Sequence, residues 1–219
     1  MSGSGQGAPR AGTVTEVTHP LVKHKITLVR DVQTDTHDFR ELVNELAGLV
    51  CYAATEDLPM HEVEVDTPLE RTIGHQVSGK KVAVVPVLRA GLGMLDGVTQ
   101  FLPVARIGFI GLYRDEETLE PKTYYSKLPD DMDQRIALVL DPMLATGGSV
   151  SRAIDLVKES GCTQVKLLAV LGAPEGIAHL HEQHPDVDIY VAHIDERLDE
   201  NGYIRPGLGD AGDRLFGTR

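Results

Sequence analysis

The residues best suited to chemistry follow an apolar run over 136–140. In order they are Asp141, Pro142, Met143, Leu144, Ala145, Thr146, Gly147, Gly148 and Ser149, here called the phosphate loop. Glycines let successive backbone N–H groups converge on an anion, the hydroxyls of Thr146 and Ser149 add donors, and a helix beginning near Ser149 would add the positive end of its dipole. Asp141 is placed to accept hydrogen bonds from ribose hydroxyls. The loop predicts a sugar-phosphate site, although a plain strand-to-helix turn can use the same residues.

A second glycine-rich loop follows the apolar run 82–88. It reads Arg89, Ala90, Gly91, Leu92, Gly93, Met94, Leu95, Asp96 and Gly97, here called the arginine loop. Arg89 offers a planar fork of donors to a charged group. Two anion-binding loops on neighbouring strands predict a substrate with two separated phosphate groups. A dinucleotide fingerprint is the competing interpretation of this loop, with Asp115 or Glu116 as the ribose acid, but the glycine spacing is one residue too long.

The elements that must position these loops alternate between strands and helices from residue 81 onward. Continuous apolar runs predict buried strands, and helical patterns fit between them, so we expect repeated βαβ units and a doubly wound, mostly parallel α/β sheet flanked by helices. An earlier helix is predicted from Asp35 to Asp57. The predicted strands are 82–88, 106–112, 136–140, 165–171 and 187–194, and the predicted helices between them are 93–101, 149–160 and 174–184.

The predicted organisation is a single domain over 14–219 behind a disordered tail over 1–13. Residues 60–79 suggest one short strand at 62–65 and are otherwise too mixed to assign. The charged interruption from 114 to 134 is predicted to be a protruding arm or flap, because loops of that length are usually functional. The glycine- and proline-rich stretch 195–219, here called the C-terminal hood, is predicted to be an irregular cap.

Composition excludes several classes of protein. The 219 residues carry 33 acidic and 21 basic side chains, a formal charge of −12, which argues against nucleic acid as the main partner because that binding needs a basic surface. No stretch approaches the roughly 18 apolar residues of a membrane span. Cys51 and Cys162 have no metal-ligand spacing. We expect a cytoplasmic protein that binds neither nucleic acid nor membrane.

The sequence resembles a known family at these loops. An acid-tipped apolar strand followed by Thr146, Gly147 and Gly148 is the phosphoribosyl-pyrophosphate motif of type I phosphoribosyltransferases, and the run 141–149, with Pro142 in place of the usual second acid, is similar to the form in uracil phosphoribosyltransferases. Further similar segments occur in the family's order at 19–25, 86–94, 113–121 and 202–213. Only 60–79 looks divergent.

The resemblance implies roles for individual residues. It implies that the phosphate loop binds the ribose and its 5-phosphate and that Arg89 and Arg114 bind the pyrophosphate side. Asp210 is implied to reach the phosphoribosyl substrate as well as the base, and with the two arginines it is an implied catalytic residue. The residues implied to bind uracil, largely through backbone groups, are Ile204, Gly209, Asp210 and Ala211.

The implied reaction transfers the phosphoribosyl group of 5-phospho-α-D-ribose 1-diphosphate (PRPP) to uracil and forms UMP and pyrophosphate, a step of pyrimidine salvage. The implied cofactor is Mg²⁺, held mainly by pyrophosphate oxygens and water, so no residue is expected as a dedicated metal ligand. The family also implies a homo-oligomer and GTP as an allosteric effector.

Two other classes of function stay open from the sequence. The first is a regulatory protein on the same fold that binds pyrimidine-operon RNA, which would require a basic face that a chain of charge −12 is not expected to have. The second is a dinucleotide-dependent oxidoreductase built on the arginine loop. It would bind NAD(P) and make no product from uracil and PRPP.

Replacing Arg114 by alanine tests the implied pyrophosphate role. We expect Arg114→Ala to lower turnover far more than it lowers folding stability, because a guanidinium that stabilises a leaving anion acts mainly in the transition state. Steady-state kinetics and urea unfolding measure the two effects. Unaltered kinetics would contradict the role.

Overall fold

The computed structural model describes residues 11–78, 82–114 and 121–218, without the side chain of Arg114. It has the predicted α/β architecture. The helices are α1 (Pro20–Arg30), α2 (Thr36–Ala54), α3 (Leu92–Phe101), α4 (Gly148–Glu159), α5 (Pro174–Gln183) and α6 (Ala211–Phe216). The strands are β1 (Val14–Glu16), β2 (Met60–Asp66), β3 (Arg71–Val77), β4 (Val82–Leu88), β5 (Arg106–Ile107), β6 (Phe109–Arg114), β7 (Pro121–Lys127), β8 (Ile136–Leu140), β9 (Met143–Leu144), β10 (Gln164–Gly172), β11 (Asp188–Ile194), β12 (Arg197–Leu198) and β13 (Ile204–Arg205).

A nine-stranded sheet forms the centre of the molecule. Its order is β1-β11-β10-β8-β4-β6-β7, with β5 beside β4 and β9 beside β10. All pairs are parallel except β6 with β7, which is antiparallel and closes one edge. The carboxyl ends of β4 and β8 therefore lie side by side, and the arginine loop and the phosphate loop begin next to each other at these ends.

The sheet is covered on both faces, as its continuous apolar strands predict. Successive residues of a strand point to opposite faces, so Val84, Leu138 and Leu168 pack with α1, α2, α3 and α6. Val85, Val139 and Leu167 pack on the other face, against α4 and α5. Both layers hold the central strands rigidly and fix the loops at their ends.

Most predicted elements are confirmed. The strands 82–88 and 136–140 are found with the predicted bounds, and the other strands and helices after residue 81 lie within a few residues of their predicted positions. Strand 106–112 is interrupted at Gly108. In α2, Asp35 caps the helix by accepting a hydrogen bond from the amide of Asp38 at 2.9 Å.

Three predictions need correction. Residues 121–127 were predicted to be part of an irregular arm, but they form edge strand β7. Nearly all of its side chains are exposed, so its sequence lacks the alternation of apolar and polar residues that would have indicated a strand. The short strand predicted at 62–65 is confirmed within β2, but residues 60–77 as a whole form a hairpin of β2 with β3, most of whose side chains are exposed. Thr13 belongs to the fold and not to the tail, because its amide and hydroxyl both donate to Asp188 at 2.9 Å.

Other parts of the predicted tail and arm, residues 1–10 and 115–120, lie outside the described residues. Asp115 and Glu116, the acids of the dinucleotide interpretation, are among them. Helices α1 and α6 were not predicted. Among the helices that the structure describes, none is long and apolar enough to span a bilayer.

Candidate functional site

The first half of the phosphate loop is fixed by β10. The amide of Asp141 donates to the carbonyl of Leu168 at 3.2 Å, and the carbonyl of Pro142 accepts from the amides of Val170 and Leu171. Met143 and Leu144 then form β9 beside the end of β10. Pro142 and Leu144 are buried, so their side chains hold the loop instead of facing a ligand.

The second half of the loop has the geometry of an anion cradle. Gly147 has φ +84° and is the N-cap of α4, a helix of 12 residues. Within the described chain, the amides from Thr146 to Val150 have no backbone acceptor. The side chains of Thr146 and Ser149 are exposed, and a Cβ added to Gly148 would meet nothing within 4 Å. Free amides, hydroxyls and open space therefore coincide at a helix N-terminus, as phosphate binding requires.

The cradle is held from behind by α5. A Cβ on Gly176 would lie 2.0 Å from the carbonyl oxygen of Ala145, and a Cβ on Gly147 would lie 3.0 Å from the carbonyl oxygen of Gly176. Neither position has room for a side chain without a shift of the backbone. The two glycines thus allow α5 to support the loop by direct backbone contact.

A cavity of about 220 Å³ brings the phosphate loop and the C-terminal hood together. It is lined by Ala90, Asp141, Met143, Ala145, Gly202, Tyr203, Ile204, Gly209, Asp210, Ala211 and Gly212. We call it the hood pocket. Seven of these residues were predicted individually as site residues. Of the other four, Ala90 belongs to the arginine loop, and Gly202, Tyr203 and Gly212 belong to the segment 202–213 that resembles the family, but no individual role was predicted for them. Larger cavities, including one of about 780 Å³ beside α2, contain none of the predicted site residues in their linings.

Asp141 is the half-buried carboxylate of the hood pocket. Its Oδ1 accepts a hydrogen bond from the amide of Met143 at 3.1 Å. Burial raises the pKa of Asp141 to about 7, and the Met143 amide opposes that rise by stabilising the charged form. Hydroxyl donors from a ribose would shift the group further toward the carboxylate, because they hydrogen-bond to the charged form.

The hood side of the pocket offers main-chain donors. In the described residues, the amides of Gly209, Asp210 and Ala211 have no backbone acceptor. Asp210 caps α6 by accepting from the amide of Asp213 at 2.9 Å, so its carboxylate also has a folding role that sequence reasoning did not predict. Gly209 has φ +84°, which keeps the turn before the cap free of strain.

Arg89 is exposed next to the pocket and is not part of its lining. Its guanidinium carbon lies 5.8 Å from the ring centre of Phe216, and the neighbouring Gly93 contacts the side chain of Leu215. Both contacts come from α6. Arg114 ends β6, but its side chain is outside the described part of the chain, so its predicted contact with pyrophosphate stays a prediction.

Helix α6 is itself held by Arg214, which sequence reasoning missed. The guanidinium lies over the ring of Phe39 at 4.3 Å. It donates to four carbonyl oxygens, those of Val29 (2.7 Å), Asp31 (2.7 Å), Thr34 (3.2 Å) and Leu208 (3.0 Å). Three of these acceptors, at Val29, Asp31 and Thr34, lie about 180 residues earlier in the chain, so no local pattern indicated them.

Asp199 and Glu175 organise the β12–β13 turn of the hood and were also missed. Asp199 accepts from the amides of Asn201 and Tyr203 at 3.0 Å, and the Tyr203 amide is the main cause that holds the pKa of Asp199 below its ordinary value. Glu175, in the first turn of α5, accepts from the amide of Leu198 at 3.0 Å. The turn that presents Tyr203 is therefore joined to the helix behind the phosphate loop.

Comparison with known proteins gives consistent matches along the chain. The model of the family described as uracil phosphoribosyltransferase matches residues 16–218. The chain is 56% identical over 208 residues to the uracil phosphoribosyltransferase of Streptococcus thermophilus, covering 95% of this chain and 100% of that one. It is 57% identical over 206 residues to the enzyme of Clostridium perfringens strain 13, covering 94% and 99%. The solved structure of the AQ2163 protein from Aquifex aeolicus is similar with a TM-score of 0.88 at 40% identity, covering 93% and 98%.

The cradle geometry predicts different effects of alanine at its two glycines. Gly147→Ala should lower the free energy of unfolding by about 1–2 kcal/mol, because a non-glycine residue is strained at φ +84°. Gly148→Ala should leave folding stability within about 0.5 kcal/mol and weaken binding of ribose 5-phosphate, because its Cβ enters the open space before the amides. Urea unfolding and calorimetric titration separate the two effects. Wild-type affinity in Gly148→Ala would contradict the cradle.

The raised pKa of Asp141 predicts a stability gain in Asp141→Asn that depends on pH. The folded protein keeps this proton up to about pH 7, whereas the unfolded chain loses it near the ordinary value of 3.8, so wild-type stability falls as pH rises between these values. Asparagine does not ionise. Asp141→Asn should therefore match wild type near pH 4 and exceed it by about 1–3 kcal/mol at pH 8 in urea unfolding.

The exposed loop substitution Asp130→Asn is the control for this experiment, and it should leave the profile of stability against pH unchanged. Equal stability of Asp141→Asn and wild type at pH 8 would contradict the role of burial.

Proposed function

This chain belongs to the uracil phosphoribosyltransferase family, and on that premise we propose that it transfers the phosphoribosyl group of PRPP to uracil, forming UMP and pyrophosphate. The observation that carries the proposal is the hood pocket, in which Asp141 of the phosphate loop lies with Ile204, Gly209 and Asp210 of the hood. A site for a phosphorylated sugar and a site for a planar base are thereby joined in one cavity.

The phosphate loop holds the ribose 5-phosphate in this proposal. The amides from Thr146 to Val150 and the hydroxyls of Thr146 and Ser149 donate to the phosphate oxygens, and the N-terminus of α4 favours their negative charge. Asp141 accepts from the ribose hydroxyls and orients the ring. These local groups are needed because the chain as a whole is acidic and repels an anionic substrate.

The hood reads uracil through its main chain. Uracil carries two carbonyls and two N–H groups, so the free amides at Gly209, Asp210 and Ala211 match it without a charged side chain. Cytosine has an amino group where uracil has a carbonyl and would leave a buried donor facing a donor. Such a mismatch costs about 1–3 kcal/mol, which supports selection against cytosine.

Positioning and electrostatics account for the chemical step. The bond between ribose C1 and the pyrophosphate oxygen breaks, the bond between C1 and uracil N1 forms, and the N1 proton is released to water. Arg89 and Arg114 stabilise the negative charge that develops on the leaving pyrophosphate. The hood and the phosphate loop hold N1 in line with C1. No side chain is assigned as a general base.

Mg²⁺ fits this site as a partner of the substrate. A hard cation that keeps phosphate and water ligands needs few protein ligands, so no residue is assigned as a dedicated metal ligand, and Asp141 and Asp210 are the carboxylates of the hood-pocket lining. When bound through the pyrophosphate, it supplies further neutralisation of the leaving group.

A homo-oligomer is part of the proposal. Large apolar side chains are exposed on α1 and α2 (Leu21 and Tyr52) and on the β2–β3 hairpin (Met60 and Ile73), and their burial against a second copy of the chain would favour association. The GTP effector and the cytoplasmic location stay predictions of the sequence resemblance, because no described contact bears on them.

Product analysis tests the function directly. Purified protein with uracil, PRPP and Mg²⁺ should yield UMP and pyrophosphate, separated by anion-exchange chromatography. Parallel reactions with cytosine, hypoxanthine and orotate should yield little or no nucleotide, and NAD(P) and RNA should not bind. Absence of UMP, or equal product from another base, would overturn the proposal.

A further inference from the structure

Gly207 is a buried residue of the hood with φ +66°. A Cβ at this position would lie 2.1 Å from the carbonyl oxygen of Ile204, so the peptide of Gly207 packs directly on a residue of the hood-pocket lining. Gly209 and Asp210, which also line the pocket, follow within three residues. Because these residues are so close in the chain, the position of Gly207 restricts the positions of their main-chain groups.

Both polar groups of Gly207 are bound by side chains that are distant in sequence, Asp195 at the start of the hood and Arg30 at the end of α1. Its amide donates to Oδ2 of Asp195 at 3.0 Å. Its carbonyl oxygen accepts from Nη1 of Arg30 at 3.2 Å. A donor and an acceptor on one residue fix the orientation of the chain there more tightly than either bond alone.

Arg30 and Asp195 form one unit. Nη1 of Arg30 lies 3.0 Å from Oδ2 of Asp195, and Nη2 pairs with Oδ1, so the guanidinium and carboxylate meet as two parallel forks. The Asp195 side chain is 1% exposed and that of Arg30 is 20% exposed. Nε2 of His193 also faces Oδ1 of Asp195 at 3.6 Å, and its Nδ1 pairs with Glu16.

The unit is anchored to rigid elements. Arg30 is the last residue of α1, and Asp195 follows β11, with its own amide bonded to the carbonyl of Gly172 at the end of β10. The geometry therefore points to Arg30 and Asp195 as positioning residues that set the uracil-reading main chain at 204–211. This inference deepens the proposed function and rests on it for the identity of the base.

The inference predicts an effect confined to the base. The phosphate loop makes no described contact with Arg30 or Asp195, so a change in the pair should not move the cradle. Arg30→Lys keeps the positive charge but loses the planar fork that reaches both Asp195 and Gly207. We expect the KM for uracil to rise about tenfold or more and the KM for PRPP to stay within about twofold.

Arg135→Lys is the matched control. Arg135 makes a two-fork pair with Asp131, at 2.8 and 2.9 Å, and also donates to a backbone carbonyl, that of Val82, at 3.4 Å. It precedes β8 and so lies at the amino ends of the strands, whereas the hood begins at their carboxyl ends. Its substitution removes the same chemistry and should leave the KM for uracil unchanged.

A second variant and a second measurement separate positioning from folding. Asp195→Asn keeps the size of the side chain but removes the charge that binds the guanidinium, and it should also raise the KM for uracil selectively. Hydrogen exchange without substrate should show faster exchange of the amides at 207–211 in both variants, with α4 unchanged.

Several results would overturn the inference. One is a uracil KM in Arg30→Lys equal to that of Arg135→Lys, and another is an equal rise in both KM values. Loss of the fold in both Arg30→Lys and Asp195→Asn would show that the Arg30–Asp195 pair stabilises the whole domain. If wild type makes no UMP, the proposed function fails, and the exchange data alone then decide whether the pair positions the hood.

Discussion

The parallel pairing of β10 is the constraint on which the site depends. On one side, the carbonyl of Leu168 binds the amide of Asp141, and the amides of Val170 and Leu171 bind the carbonyl of Pro142. On the other side, the carbonyl of Gly172 binds the amide of Asp195. Hydrogen bonds from one buried strand thereby fix the positions of both the phosphate loop and Asp195, the residue that binds Gly207 of the hood. Because β10 is covered on both faces, neither attachment can shift without disturbing the core.

The negative charge of the substrate has to be balanced by a few groups at the site, because the chain as a whole is acidic. A chain with a formal charge of −12 has to bind a substrate that carries several phosphate charges. In the proposed function, backbone dipoles at the start of α4 and a few arginines supply the positive charge, while Asp141 has a pKa raised to about 7 by burial. A partly protonated acid repels an arriving anion less than a full carboxylate does. The surrounding surface then contributes little to recognition.

The sequence was sufficient to predict the sheet and the phosphate loop because each is encoded by a continuous stretch of residues. Buried strands such as β4 and β8 are continuous apolar runs, and Asp141 to Ser149 is a continuous motif. The exposed strands β3 and β7 carry no such signal, β2 shows only the short alternation at 62–65, and α6, with six residues, is too short for a periodic pattern. Val22, Ile26 and Val29 do have helical spacing in α1, so that helix is predictable from the sequence. The pairing of Arg30 with Asp195 joins positions 165 residues apart, and only the folded chain brings them together.

Helix α6 touches both halves of the site. Its cap is Asp210 of the hood pocket, Leu215 fills the space beside Gly93, and Phe216 lies under the guanidinium of Arg89. A displacement of this short helix therefore moves the base-reading turn and the arginine loop together. The base-reading turn and the arginine loop therefore share α6 as a common support, whereas Arg30 and Asp195 hold the chain at Gly207, before that helix begins.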